Sequence, residues 1–197
     1  MRDFMTFIIV VALGFGAYLY FSEDTPKGPG PDVYGKYVNK NVGEIGGTSF
    51  TLTNQFGEEV TERSFRHSKS LVFFGFTHCP DICPTTLSLL NDVYVQLGAN
   101  ADEIKIIFIT VDPENDTPDV IQQYLLNFHK DFVGLTGPRA EIEKVVKSYK
   151  AYESKSDKGQ VMHSDLVYFM DEDGKYISHF NRENTAAQIV EAVKKQK

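Results

Sequence analysis

Apolar runs typical of β-strands recur along the chain from about residue 45 onward. The segment SFTLTN (49–54) and the QFGEEVT that follows it predict a first β-hairpin. Two continuous apolar runs, SLVFFGF (70–76) and IKIIFITVD (104–112), are typical of strands that are buried on both faces of a sheet. Nearer the C-terminus, LVYFMDEDGKYISHF predicts a second hairpin with its turn at residues 172–174.

Four segments between and after these strands have helical spacing. In PTTLSLLNDVYVQLG the apolar positions recur on one helix face, and Gly98 ends the pattern. TPDVIQQYLLNFH begins with Thr117 as a cap and Pro118 at the first helical position. A third helix is predicted in GPRAEIEKVVKSY, and a fourth closes the chain with Lys194 and Lys195. These elements predict an α/β domain with a central mixed sheet flanked by helices.

The first apolar run of the chain, FMTFIIVVALGFGAYLYF (4–21), contains no charged residue. At ~1.5 Å of rise per residue, a helix of this length is just long enough to cross a hydrocarbon core. A cleaved signal peptide is the alternative, but its apolar region is usually shorter, and no small-x-small cleavage site follows this run. Arg2 precedes the run, whereas Glu23 and Asp24 follow it, which places the N-terminus in the cytoplasm.

The sequence therefore predicts a single-pass inner-membrane protein whose C-terminal domain lies in the periplasm. The mitochondrial equivalent is an inner-membrane protein that faces the intermembrane space. Residues 22–44 are rich in proline and glycine and have the composition of a flexible linker. We accordingly divide the chain into an N-terminal transmembrane anchor (1–21), a linker (22–44) and one folded domain (45–197).

Charge and cysteine content narrow the possible functions. The formal net charge of the chain is −7, and its lysines are scattered, so it has no basic stripe for a phosphate backbone. We expect no nucleic-acid partner. The chain contains two cysteines, too few for a disulfide scaffold, and a domain of this size does not need one. We therefore interpret the two cysteines as functional residues, whose thiols react or bind a ligand, rather than as a structural cross-link.

Both cysteines, Cys79 and Cys83, lie in FTHCPDICPTT, between the first buried strand and the first helix. If the helix begins between them, their sulfurs lie one turn apart on the same face, where they can reach each other or share a ligand. The start of a helix also lowers the pKa of a thiol, which favours the thiolate needed for nucleophilic attack and for metal binding. The spacing alone leaves a structural disulfide, a redox dithiol and a metal site open.

A cysteine pair in this position, followed by a closing hairpin and helix, resembles the thioredoxin-like fold. Reductases of that fold use C-x-x-C and carry a cis-proline before the strand of the final hairpin. This chain has C-x-x-x-C, and no proline follows Pro138. The peroxiredoxin pattern fails as well, because Phe76 and Pro80 stand where a threonine would precede the reactive cysteine by three positions.

The loop that corresponds to the missing proline is VMHSDL, which places His163 just before the strand that begins near Leu166. In a thioredoxin-like fold this loop lies against the start of the first helix, so that two thiolates and an imidazole would meet at one point. Such donors suit copper(I), a fourth oxygen would accommodate copper(II), and zinc accepts the same donors. The remaining histidines are interpreted as surface or strand residues: His67, His78, His129 and His179.

Four blocks in order resemble the Sco/SenC family: FFGFTHCPDICPTTL, VDPENDTPDVIQQY, FVGLTG and MHSDLVYFMDEDG. The resemblance extends from about Gly46 to the C-terminus. It implies a membrane-anchored thioredoxin-like protein that binds one copper ion, as Cu(I), Cu(II) or both, through Cys79, Cys83 and His163. Asp112 also matches the acidic block of the family, but we assign it no ligand role.

The same resemblance implies a function and its partners. It implies assistance in assembling the dinuclear copper centre of cytochrome c oxidase, with the copper-centre subunit of the oxidase and other copper chaperones as partners.

Two functions of different classes remain compatible with these residues. A metallochaperone binds copper without catalysing a reaction. A thiol-disulfide oxidoreductase would instead use Cys79 and Cys83 to keep client cysteines reduced for metal insertion. The missing proline and the placement of His163 favour the first function, and the oxidising compartment keeps the second open. A structural disulfide on an adaptor domain is a third alternative.

Overall fold

The structure is a computed structural model. It describes residues 45–151, 153–155, 161–163 and 166–196, with side chains in the first and last of these ranges. The predicted membrane helix and linker, residues 4–44, lie outside the described residues. Within the described ranges, no helix combines the length and the apolar character that crossing a bilayer requires.

A seven-stranded mixed sheet forms the centre of the fold. In chain order, the strands of the described residues are β1 Thr51–Asn54, β2 Glu59–Thr61, β3 Lys69–Gly75, β4 Ile104–Thr110, β5 Val133–Thr136, β6 Glu153–Lys155, β7 Val161–His163, β8 Val167–Met170 and β9 Tyr176–Phe180. The strand order of the main sheet is β2-β1-β5-β4-β3-β8-β9. β4 pairs in parallel with β3 and β5, and the other pairs are antiparallel. Both predicted hairpins and both predicted central strands are present.

The four predicted helices are also present. They are α1 Ile82–Leu97, α2 Pro118–Leu125, α3 Arg139–Ser148 and α4 Ala186–Lys195. α1 ends at Gly98, as its spacing predicts. The hydroxyl of Thr117 caps α2 by accepting a hydrogen bond from the Val120 amide, and Thr185 caps α4 in the same way through Gln188.

The core has two layers, one on each face of the sheet. On one face, Val72 and Phe74 of β3 pack in a cluster with the buried side of α3. On the other face, Phe108 of β4 contacts Tyr124 of α2 at a ring-centroid distance of 6.0 Å, and α1 packs against α4. Helices therefore flank both faces of a mixed sheet, which confirms the predicted thioredoxin-like α/β fold.

The segment before β8 differs from the prediction. VMHSDL was expected to be a loop, but residues Val161–His163 form β7, which pairs in antiparallel fashion with β6 and places Glu153 opposite His163. His163 is thus the last residue of a strand rather than a loop residue. Strands of three residues are too short for an alternating pattern to be recognised in the sequence.

Candidate metal centre

The loop between β3 and α1 carries both cysteines. Because α1 begins at Ile82, Cys79 precedes the helix and Cys83 lies in its first turn, as the spacing predicts. The Cys79 amide donates a hydrogen bond to the Phe76 carbonyl at 3.2 Å, which turns the chain toward the helix. Cys79 is partly exposed, whereas Cys83 is fully buried. One sulfur is therefore accessible from solvent and the other lies behind it.

The two cysteines are thiols rather than a disulfide, and they are in contact. The amide of Cys83 donates a hydrogen bond to the Sγ atom of Cys79 at 3.4 Å. This bond satisfies one of the amides that have no carbonyl partner in the first turn of a helix. The arrangement can close to a disulfide or hold a soft metal ion between two sulfurs.

The chemistry of Cys83 is dominated by its burial. Burial raises the pKa of the Cys83 thiol, a hydrogen bond with Cys79 raises it further, and a hydrogen bond with the Phe76 backbone acts in the opposite direction. The expectation that the helix start lowers the thiol pKa is therefore wrong for Cys83, because its removal from water outweighs the helix terminus. Cys83 keeps its proton at neutral pH, and a metal ion that binds there must displace it.

Gly75, the last residue of β3, allows the first turn of α1 to lie directly on the sheet. A Cβ atom at this position would lie 2.8 Å from the Cys83 sulfur and 2.9 Å from a ring carbon of Phe108. Such distances are shorter than van der Waals contact, so no larger residue fits without moving the thiol. A lone glycine inside an apolar strand is the sequence signal of such a close approach.

A second loop, residues 111–117, lies beside the cysteine loop and begins where β4 ends. Its Asp116 is completely buried. Asp116 accepts hydrogen bonds from the Thr77 amide at 3.0 Å, from the Thr77 hydroxyl at 2.6 Å and from the Thr110 hydroxyl at 2.6 Å. The Asp116 carboxylate therefore joins the acidic loop to the cysteine loop. No local pattern in the sequence predicts this role of Asp116, because its partner Thr77 lies 39 positions earlier in the chain.

Arg139, at the start of α3, holds the outer side of the same acidic loop. Its guanidinium donates to the Val111 carbonyl at 2.9 Å and forms a two-point ion pair with Glu114. It also approaches the Asp112 carboxylate at 3.9 Å. Asp112 in turn accepts a hydrogen bond from the Asn115 side chain at 2.7 Å. The acidic loop is thus cross-linked both to the helix beside it and within itself.

Tyr124 of α2 lies near the cysteines. Burial raises the pKa of the Tyr124 phenol, and the neighbouring Cys83, Cys79 and Asp116 act in the same direction. Its hydroxyl is buried, and among the described residues it has no hydrogen-bond partner. A buried hydroxyl in this state is uncommon and costs stability.

The structure brings together two of the three expected ligands. His163 ends β7, and its side chain lies outside the described residues. Among the side chains that are described, no three or more from His, Cys, Asp and Glu are grouped as a metal site.

The other four histidines include an exposed His67, a partly buried His129 and a strand residue, His179. His78 is exposed, and its Nδ1 atom lies 3.1 Å from the Thr77 hydroxyl.

Comparisons with known proteins agree with one another. The family model described as SCO1/SenC matches residues 39–197. SCO2-like protein RP587 of Rickettsia prowazekii is 38% identical over 204 residues, which cover 98% of this chain and 98% of that protein. The structure of Bradyrhizobium japonicum ScoI with copper bound is similar, with a TM-score of 0.71 and 41% identity over 78% of this chain and 99% of that one.

A further similar structure is that of BsSco, with a TM-score of 0.66 and 33% identity over 77% of this chain and 93% of that chain. BsSco is described as having a disulfide switch and as a member of the Sco family of cytochrome c oxidase assembly proteins. Homologous Sco structures have therefore been solved with copper bound, and one homologue has a disulfide switch.

Proposed function

This chain belongs to the SCO1/SenC family, and on that premise we propose that it is a membrane-anchored copper chaperone. It binds one copper ion through Cys79, Cys83 and His163 and assists maturation of the dinuclear copper centre of cytochrome c oxidase. Its partners are the copper-centre subunit of that oxidase and the chaperones that supply copper. The copper-bound structures of its homologues support this proposal.

The observation that carries the proposal is the contact between the two thiols at the start of α1. Thiolates are the ligands that copper(I) prefers, and two of them one helical turn apart can bind a single ion. The partly exposed Cys79 gives copper a point of entry, and the buried Cys83 holds it away from water. An imidazole from His163 completes a three-coordinate set, with copper as the cargo of the protein rather than a resident cofactor.

The organisation of the chain follows the same proposal. Residues 1–21 anchor the protein in the inner membrane, residues 22–44 form a flexible tether, and residues 45–197 form the copper-binding domain on the periplasmic side. A tether of about twenty residues keeps the domain at high effective concentration near a client in the same membrane. This arrangement explains why a copper carrier for a membrane oxidase would have an anchor.

The copper stoichiometry of the purified, reduced full-length chain in detergent tests the proposal. One copper(I) per chain is expected, with loss of stoichiometric binding in Cys83→Ala and in His163→Ala. His129→Ala is the matched control, because His129 lies beyond α2 and its ring packs against Tyr94, tilted by 48° at a centroid distance of 4.4 Å. Binding that survives Cys83→Ala, or that falls equally in His129→Ala, would contradict the proposed site.

Thiol-disulfide exchange is the second candidate function. It is favoured by the contact between the Cys83 amide and the Cys79 sulfur, which keeps the sulfurs close enough to close a disulfide. Substitution of His163 separates the two functions, since exchange needs only the thiols. If His163→Ala removes copper binding and client maturation but leaves exchange with a model disulfide intact, the metallochaperone is supported. If maturation survives without copper binding, the oxidoreductase is supported.

A further inference from the structure

Asp116 is an unusual residue to find under a metal-binding loop. Its carboxylate has no solvent exposure, and its three hydrogen-bond donors are all uncharged. Burying a carboxylate is costly unless it is well hydrogen-bonded, and a chain that only needed a turn here would not need the charge. The hydrogen bonds of the Asp116 carboxylate therefore have a role other than ending β4.

The hydrogen bonds of Asp116 fix the cysteine loop where it leaves the sheet. The Gly75 carbonyl accepts a hydrogen bond from the Val111 amide at 2.8 Å, which completes the parallel pairing of β3 and β4. Two residues later, both the amide and the hydroxyl of Thr77 donate to Asp116. Cys79 follows after two further residues, with its own amide bonded back to Phe76.

Asp116 is itself held in place from the acidic loop. Its amide donates to the Asp112 carbonyl at 3.0 Å, and the Asp112 amide donates to the Thr110 hydroxyl at 2.9 Å. That same hydroxyl donates to Asp116. The carboxylate is therefore part of a closed set of hydrogen bonds that spans the ends of two adjacent strands, and the acidic loop and the end of β4 contribute bonds of their own to its placement.

We propose that Asp116 is a positioning residue for the cysteine pair. By holding Thr77, it keeps the Cys79 sulfur over the first turn of α1, within reach of Cys83. The inference rests on the cysteine pair being the working site of the proposed function, whether it binds copper or exchanges disulfides. It adds a residue that acts on the pair through Thr77 and determines how often the two sulfurs are in position.

The relevant quantity is the effective concentration of one thiol at the other. In equilibrium with glutathione, two protein thiols and one glutathione disulfide give one protein disulfide and two reduced glutathiones, so two electrons and two protons pass to the glutathione. A loop that moves more widely lowers the equilibrium constant for closing the protein disulfide. The same loosening lowers copper(I) affinity, because both sulfurs must be at one point to bind one ion.

The test compares Asp116→Ala with wild type in the full-length chain in detergent. The glutathione equilibrium of the Cys79–Cys83 pair should shift by about tenfold toward the dithiol, which is about 30 mV for a two-electron couple. Copper(I) affinity, measured by competition with a chromophoric chelator, should fall by about tenfold, at the lower end of the loss seen when supporting residues of a metal site are removed.

Asn54→Ala is the matched control. Asn54 is also a buried polar residue, and its side-chain oxygen accepts hydrogen bonds from the Phe56 and Glu58 amides. It lies on β1, which β5 and β4 separate from β3. The control should lower the melting temperature but change the potential and the copper affinity by no more than about twofold, because distant sites act independently.

Each outcome decides the proposal. Shifts in Asp116→Ala that Asn54→Ala does not show support a positioning role, even if the wild-type chain binds no copper, because the potential is measured without metal. Equal behaviour of the two variants overturns the proposal. If Asp116→Ala does not fold, Thr77→Val replaces it: it removes the hydroxyl bond to Asp116, together with the exposed hydroxyl contact with His78, and keeps the amide bond. An unchanged potential in Thr77→Val would then overturn the proposal, and a shift of about threefold, from loss of one hydrogen bond, would support it.

Discussion

Two loops follow the central parallel strands β3 and β4 at the same edge of the sheet, and they have different roles. The cysteine loop after β3 carries the thiols, and the Cys83 amide donates a long hydrogen bond of 3.4 Å to the Cys79 sulfur. The acidic loop after β4 carries no proposed ligand, but hydrogen bonds as short as 2.6 Å and an ion pair with Arg139 hold it. The cysteine loop carries the reactive thiols, and the acidic loop holds the cysteine loop in position.

This division is understandable from what a copper carrier has to do. The ligands must accept an ion and give it up again, so the loop that holds them cannot be locked by many bonds of its own. The more rigid acidic loop beside it limits the motion of the cysteine loop instead. Residues that support a reactive group commonly act in this way. The carboxyl ends of adjacent parallel strands bring two such loops together.

The largest expected effect is the release of the Cys83 thiol proton from the cysteine loop when copper binds. Since burial raises the pKa of Cys83, each copper ion that binds displaces a proton from it. Copper(I) affinity should therefore rise by about tenfold per pH unit for each thiol proton displaced, and the rise should continue above pH 9, where an ordinary thiol is already deprotonated. Competition titrations between pH 6 and 10 measure this, and an affinity that becomes constant near pH 8.5 would contradict the assignment.

The next effect concerns the contact between the cysteine loop and the sheet. Gly75→Ala places a Cβ atom against the Cys83 sulfur and Phe108, so the first turn of α1 must move. We expect a loss of about 1–3 kcal/mol in the free energy of unfolding, together with weaker copper binding. Denaturant unfolding and copper competition on the same preparation measure both quantities.

Gly137→Ala is the control for this substitution. A Cβ atom there would meet the Leu52 side chain at 2.9 Å, which is similar crowding on the face of the sheet that α3 covers. It should cost stability without changing copper affinity. Equal losses of copper affinity in both variants would show that general destabilisation, rather than the position of Cys83, explains the result.

The smallest expected effect has the opposite sign. Tyr124→Phe removes a buried hydroxyl that has no hydrogen-bond partner among the described residues. The protein should become more stable by about 1 kcal/mol, because no unsatisfied polar group is then buried. Tyr94→Phe, whose exposed hydroxyl donates to Asp131 at 3.5 Å, should leave the stability nearly unchanged. Destabilisation by Tyr124→Phe would mean that the hydroxyl is bonded after all.

Much of the fold was predictable because its central elements carry strong local patterns. The runs that became β3 and β4 are continuously apolar, and α1 and α2 have clear periodicity and end signals. The short β6 and β7 have neither, so His163 was expected in a loop.

The site was predictable only as far as neighbouring residues define it. Cys79 and Cys83 stand four positions apart, so their contact follows from one helical turn. Asp116 and Thr77 are separated by 39 positions, and no local pattern connects them. The raised pKa of Cys83 depends on burial, which arises only when α1 lies against Gly75. The sequence identifies the groups that react, and packing determines how they behave.

The central claim, that two thiolates and an imidazole bind one copper ion, is tested most directly by X-ray absorption on the reduced, copper(I)-loaded full-length chain. The account predicts two sulfur donors and one nitrogen donor, with one sulfur lost in Cys83→Ala and the nitrogen lost in His163→Ala. A spectrum with oxygen donors alone, or one that neither substitution changes, would contradict it.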